Sequence, residues 1–185
     1  GTASTTGTTS KTVTISEQDS KPTVTLLVGS TSLNEPPTGT TTTNVTVQLS
    51  AVSGLDVIVT IATSTNGNAL ENDDYTLATT TILIAAGQTS ALTQLVVVHD
   101  TLNEDNETIV IDITDTGANG VEDTSSGQQS KTLTIQDNDP KPTVTLEFGT
   151  NSIGEAASST SITARLSVAS SFEIQVNVKL DSPEG

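Results

Sequence analysis

The sequence predicts an all-β protein, an antiparallel sandwich of the immunoglobulin-like type, and three observations lead there. Threonine and valine are abundant, both suit the pleated surface of a sheet, and no stretch repeats its apolar residues at the helical period. Seven short β-branched runs follow one another within about 120 residues, separated by Gly, Asn, Asp and Pro, as in a two-sheet sandwich. The chain also matches itself at a spacing the size of a domain. It has no Cys and no Trp, so the disulfide and buried indole of antibody domains are absent and only the sandwich architecture is implied.

The elements can be placed in order. Residues 23–28 read as a first strand, and Asn34-Glu35-Pro36-Pro37 interrupts the chain after it, since each proline removes a ladder donor. Val45, Val47 and Leu49 alternate in a second strand, and Val57, Val59 and Ile61 in a third. Asn66-Gly67-Asn68 is a turn signal, followed by a loop from Ala69 to Tyr75 that carries Glu71, Asp73 and Asp74. Ile82 and Ile84 mark a fourth strand, with Gly87 in the turn after it. Residues 92–98 form the fifth strand and 109–114 the sixth. A long loop is expected over 115–130, with Gly117, Gly120 and Gly127, before a seventh strand at 132–136.

The self-match sets the domain organisation. Lys11-Thr12-Val13-Thr14-Ile15 aligns with Lys131-Thr132-Leu133-Thr134-Ile135, and Lys21-Pro22-Thr23-Val24-Thr25-Leu26 with Lys141-Pro142-Thr143-Val144-Thr145-Leu146. Glu35 corresponds to Glu155, and Asn44 to Ser50 corresponds to Ser161 to Ser167 after a small deletion. Residues 1–19 then hold the last strand of one repeat, 20–139 a complete domain, and 140–185 the first strands of another. Ile174, Val176 and Val178 are expected in its third strand. The Ser/Thr-rich residues 1–10 align with the loop at Val121 to Ser130.

Charge narrows the partners. The 185 residues carry 22 acidic and six basic side chains, a formal net charge of −16, which disfavours nucleic acid and anionic membranes. No run approaches the ~20 apolar residues of a membrane helix. No Cys nucleophile exists, the single His has no identifiable Ser partner, and no phosphate-binding loop is present, so no enzyme is expected.

The acids are concentrated. Between the fifth and sixth strands lies His99-Asp100-Thr101-Leu102-Asn103-Glu104-Asp105-Asn106-Glu107, a turn with four carboxylates. Like charges packed into one loop cost stability unless a cation neutralises them, and hard oxygen ligands favour calcium over zinc. A solvated hairpin tip is the alternative. His99 could ligate a transition metal, though a lone histidine at a strand end is more often structural. Asn44-Val45-Thr46 and Asn106-Glu107-Thr108 fit the N-glycosylation pattern, which arises by chance in so Thr-rich a chain.

Four stretches together resemble the Calx-beta domain, the calcium-binding sandwich of sodium–calcium exchangers, integrin β4 and large bacterial surface proteins. Gly67-Asn68-Ala69-Leu70-Glu71-Asn72-Asp73-Asp74-Tyr75 resembles the family's Gly-x-Ala-x-x-x-x-Asp-Tyr loop. Ile84-Ala85-Ala86-Gly87-Gln88 resembles its Phe-x-Pro-Gly-Glu turn, with Ala86 and Gln88 replacing Pro and Glu. Asp100 to Glu107 resembles its Asp-x-x-x-Glu-x-x-Glu loop, and Ile135-Gln136-Asp137-Asn138-Asp139 its closing Ile-x-Asp-Asn-Asp. His99 stands where some members have a further acid. The resemblance implies Ca2+ ligation at one end of the sandwich by Glu35, Asp74, Asp100, Glu104, Glu107, Asp137 and Asp139, with Asn138 offering a carbonyl. So many carboxylates exceed one ion's needs, which implies two or more ions; Asp73 and Asp105 are expected to be solvated neighbours.

The expected function is a calcium-stabilised structural repeat of a large extracellular or cell-surface protein, a stiff spacer or filament module rather than an enzyme. Its partners would be adjacent repeats of the same polypeptide or neighbouring copies in a fibre, with a cell-surface or matrix ligand as a further candidate. Two other classes stay open: a regulatory calcium sensor in a membrane protein, and a carbohydrate- or ligand-binding adhesion module. Cadherin-like arrays are a structural rival, because Asp137-Asn138-Asp139 before Pro140 also suits their linkers.

Overall fold

The structure is a computed structural model that describes residues 11–156 and 159–179. The expectation for residues 1–10 and the end of the following repeat, 180–185, lie outside the described residues. Every regular element among the described residues is a strand.

Two five-stranded sheets face each other. One runs β10-β1-β3-β7-β5, from β1 (Thr23–Val28), β3 (Thr40–Leu49), β5 (Tyr75–Leu77), β7 (Ser90–Val98) and β10 (Val121–Glu122). The other runs β2-β11-β9-β4-β6, from β2 (Ser32–Asn34), β4 (Val57–Ser64), β6 (Thr81–Ile84), β9 (Glu107–Asp115) and β11 (Ser130–Gln136). Period-two patterning drives this. On β3, Val45, Val47 and Leu49 are buried; on β4, Val57, Val59 and Ile61; on β7, Leu95 and Val97. Their inward faces meet Leu26, Ile84, Ile109, Ile111 and Leu133 in one aliphatic core.

The chain changes sheets after β1. β1 pairs antiparallel with β3, and after Gly29 the chain crosses over so that β2 pairs parallel with β11. Gly29 donates its N–H to the Asn44 carbonyl at 2.9 Å, and a Cβ there would meet Thr43 Oγ1 at 3.0 Å. This crossover delivers Glu35 to the far end of the second sheet, where its N–H donates to Gln136 O at 2.9 Å and extends the β2–β11 ladder by one rung.

All seven expected strands of residues 20–139 are present, and four short strands, β2 among them, lie in expected connections. β5 pairs with β7, β10 pairs parallel with β1, and β8 (Leu102–Asn103) lies inside the acidic turn. Each has only two or three residues. Such segments are too short for alternation to appear, and their pairing partners are distant in sequence.

The flanking segments behave differently. In the following segment, β12 (Val144–Phe148) pairs with β13 (Ile162–Leu166) in the register of β1 with β3: Val144↔Leu166 reproduces Val24↔Leu49. The hairpin-closing bonds recur too, with Thr143 N–H donating to Ser167 Oγ at 2.9 Å as Thr23 N–H does to Ser50 Oγ at 2.9 Å. Residues 11–19, expected as a closing strand, pair with no strand, and Val13 and Ile15 are 84% and 91% exposed. Ile174, Val176 and Val178 likewise form no strand. Their counterpart β4 is held by β6 and β9, and the described residues contain no second copy of either.

Candidate metal centre

Four loops converge at one end of the sandwich. Glu35 follows β2, Asp74 precedes β5, the acidic turn joins β7 to β9, and Asp137-Asn138-Asp139 follows β11. The sheet register requires this: Tyr75 faces Val97 near the end of β7, Ile135 faces Glu107 at the start of β9, and β2 runs parallel to β11.

The loop from Asn66 to Asp74 is pinned at both ends. Asn68 Oδ1 accepts from Thr108 N–H at 2.7 Å and from Thr108 Oγ1 at 2.8 Å, while the N–H groups of Asn68 and Ala69 donate to Thr108 O. Gly67 is required by close approach, because a Cβ there would lie 2.4 Å from Thr108 O. At the other end Asp74 O accepts from Val98 N–H at 2.9 Å, and one Asp74 carboxylate oxygen accepts from Leu70 N–H. Asn72 takes a left-handed backbone, φ 78°, which asparagine tolerates better than most residues.

The acidic turn is held from inside. Asp100 N–H donates to Glu35 Oε1 at 2.6 Å, and Asp100 Oδ1 accepts from Leu102 N–H at 2.7 Å, closing an Asx turn. Glu104 N–H donates to Asp137 Oδ2 at 3.3 Å, and Asp137 N–H donates to Asn106 Oδ1 at 3.2 Å. The Asn138 amide nitrogen donates to the Glu35 backbone carbonyl. These bonds bring Glu35, Asp74, Asp100, Glu104, Glu107 and Asp137 around one small cavity. Asp105 lines it as well, from an exposed position, whereas Asp73 and Glu71 face solvent.

The electrostatics are those of crowded anions. Burial raises the Glu107 carboxyl most, and a hydrogen bond with Asp74 and the charges of Asp74, Glu104 and Asp100 bring it to about 8. Burial also raises Glu104, followed by the charges of Asp74, Asp100, Asp137 and Glu35. Asp139 is raised by burial, then by Asp137 and Asp100, with His99 opposing. A proton retained on Glu107 is one way to relieve the crowding; a divalent cation is the other.

The donors fall into two groups, each with ligand atoms mutually within 4.8 Å: Asp74, Asp100 and Glu104, and Glu35, His99 and Asp139. The first offers hard oxygens alone, the donor chemistry that calcium takes, so the residues fit that ion. Asn138 and Asp139 sit behind the cavity rather than on its wall, Asn138 with its amide nitrogen already engaged.

One participant was not readable from the motifs. Asn103 is buried at 6% exposure, and its side-chain nitrogen donates to Asp137 Oδ2 at 3.4 Å and to the Asp139 carbonyl at 3.3 Å. It occupies an unspecified position of the Asp-x-x-x-Glu-x-x-Glu pattern. Its backbone also joins β14 (Ala169–Ser170), which pairs parallel with β8, while Ser171 N–H donates to Asn103 O at 3.1 Å.

No family model and no curated protein sequence matches the chain. Solved structures do. CBD12 from CALX1.2 is similar over 63% of this chain, at 18% identity and a TM-score of 0.50. The apo-form Calx CBD1 domain is similar over 65% of this chain and 100% of its own, at 15% identity and a TM-score of 0.46. A candidate carbohydrate-binding protein from Bacteroides ovatus is similar over 70% of this chain, at 17% identity and a TM-score of 0.48. The chain spans 44% of the first of these structures and 40% of the last. With its two-sheet topology and no helix among the described residues, the chain folds as a Calx-beta-type β-sandwich.

Proposed function

We propose that the chain is a calcium-stabilised structural module of a large extracellular or cell-surface protein, working as a stiff spacer between tandem neighbours. The observation that supports this most is the convergence of carboxylates from four separate loops on one cavity, with Glu107 held at about 8. Calcium would be held by Asp74, Asp100, Glu104 and Glu107, with Glu35 and Asp137 lining the same cavity and Asp139 adding negative charge behind it. Asn138 would act as a brace between the closing turn and the Glu35 backbone, and its free carbonyl oxygen as a further donor.

The work done is mechanical. The ion ties four loops that otherwise repel, and the Asp139-Pro140-Lys141-Pro142 segment leads directly from the site to the following segment. Its prolines restrict the connection to extended forms. The partners in this reading are neighbouring repeats or neighbouring copies in a fibre. No helix among the described residues is long and apolar enough to cross a membrane.

Melting the protein in calcium and in chelator tests the reading. A ligand that binds only the folded state adds ~2.7 kcal/mol at a hundredfold excess over its Kd, so Tm is expected to rise by several degrees with calcium. An unchanged Tm rejects the calcium site. The spacer role is checked separately by small-angle scattering on tandem arrays with increasing numbers of copies, in which calcium should lengthen the particle.

A further inference from the structure

The geometry points to a second metal site, made by Glu35, His99 and Asp139, that takes a borderline divalent ion such as Zn2+ in preference to calcium. It goes beyond the calcium reading and rests on it only in assigning calcium to the Asp74, Asp100 and Glu104 group.

The three side chains come from three different loops, and each is fixed by its own backbone. Glu35 N–H donates to Gln136 O at 2.9 Å, His99 N–H to Gly39 O at 3.1 Å, and Asp139 N–H to Asp137 Oδ1 at 3.3 Å. One ligand atom from each lies within 4.8 Å of the others. His99 Nδ1 is 3.4 Å from Glu35 Oε1, close to the edge of about 3.3 Å expected of a tetrahedron with metal–ligand bonds of about 2.0–2.1 Å. Glu35 is buried at 7% exposure.

Two buried atoms at this place lack a hydrogen bond. His99 Nδ1 and Asp139 Oδ2 are both shielded from solvent, and neither has a hydrogen-bond partner. A simple ion pair between His99 and Glu35 would account for the first and leave Asp139 Oδ2 buried and unpaired, which is unfavourable. An ion shared by all three accounts for both.

The donor set decides which ion. Calcium takes six to eight oxygens and has little use for an imidazole nitrogen, whereas imidazole with carboxylates suits zinc and its neighbours in the first transition row. Three protein ligands leave a fourth position for water. The two groups therefore divide by chemistry: oxygen only around Asp74, nitrogen and oxygen around His99.

The test uses the whole chain saturated with calcium, titrated with Zn2+ by calorimetry and with Co2+ by visible absorption. One equivalent of each is expected to bind, Co2+ with the intense bands of low coordination number. Substituting His99→Asn should weaken Zn2+ binding at least about tenfold while the calcium-induced rise in Tm persists. Independently of any variant, the imidazole Nδ1 resonance of the wild-type protein should shift on adding Zn2+. Failure of Zn2+ to bind, equal binding by the His99→Asn protein, or an unmoved Nδ1 resonance each overturns the proposal. Loss of the calcium effect on Tm with Zn2+ binding intact would instead reject the calcium reading and leave this one standing.

Discussion

At the scale of single residues, the site separates groups that face the cavity from acids that share only its loops. Glu104→Gln and Asp137→Asn should each weaken calcium binding at least about tenfold in calorimetry, because each removes charge from the converging set. Glu71→Gln, exposed and away from the cavity, should leave affinity within about twofold. Equal small effects for all three would mean that the ion sits elsewhere. The raised carboxyls give a second expectation. In the calcium-free protein the unfolded chain loses the Glu107 proton near 4.5 and the folded chain keeps it to about 8. The folded state therefore binds more protons across that window, and stability falls as pH rises from about 4.5 towards about 8. Glu104 acts in the same direction. Chelator-treated protein should melt progressively lower over this range, with the trend reduced in Glu107→Gln. Calcium should expel the proton, so binding near neutral pH should release protons, measurable as a buffer-dependent enthalpy.

At the scale of elements, the sequence was most legible where one face is buried and the strand is long. β3 and β4 declare themselves by alternating Val, Leu and Ile, and the buried positions are those that alternation picks out, whereas β7 and β9 are legible only as continuous β-branched runs, with Leu92 exposed on the one and Val110 buried out of phase on the other. The acids were legible for a different reason: their turn and loop context matched a pattern, and the register then brought them together. Asn103 was not, because its role depends on β8 and on Asp137, more than thirty residues away. Nor was the fate of residues 11–15. Lys-Thr-Val-Thr-Ile and Lys-Thr-Leu-Thr-Ile have the same intrinsic preference, yet Leu133 is fully buried between β9 and β2 whereas Val13 is 84% exposed. Partners, not propensity, decide whether such a segment is a strand. Two substitutions probe this scale. Leu133→Ala should cost about 2–5 kcal/mol in denaturant unfolding, as a buried leucine lost from a packed core. Gly67→Ala should lower stability and calcium affinity together, because displacing the loop from Thr108 also displaces Asp74; a change in stability alone would mean that the loop tolerates the shift.

At the scale of the whole molecule, residues 20–139 hold a closed core, while the flanks expose theirs. Val144, Leu146 and Phe148 on β12 are 41%, 40% and 54% exposed, and β13 shows Ile162 and Leu166 similarly. A two-stranded piece with one uncovered face is marginal by itself. Hydrogen exchange on a proven monomer of this chain should protect β3, β4, β7, β9 and β11 strongly and residues 11–16 and 172–179 weakly. Strong protection of both flanking segments would show that they are stable without neighbours.

The pairing of β14 with β8 also bears on how the molecule carries load. Two ladder pairs, Ala169↔Leu102 and Ser170↔Asn103, together with hydrogen bonds from Ser170 and Ser171 to Asn103, fasten the following segment to the acidic turn, against nine ladder pairs between β3 and β7. Under tension so short a clasp is expected to open before the nine-pair ladder. Its anchor, Asn103, is the residue that grips Asp137 and the Asp139 carbonyl. On the proposed reading, an ion bound at the acidic turn would stiffen the clasp's anchor, so the load at which the joint opens would vary with calcium.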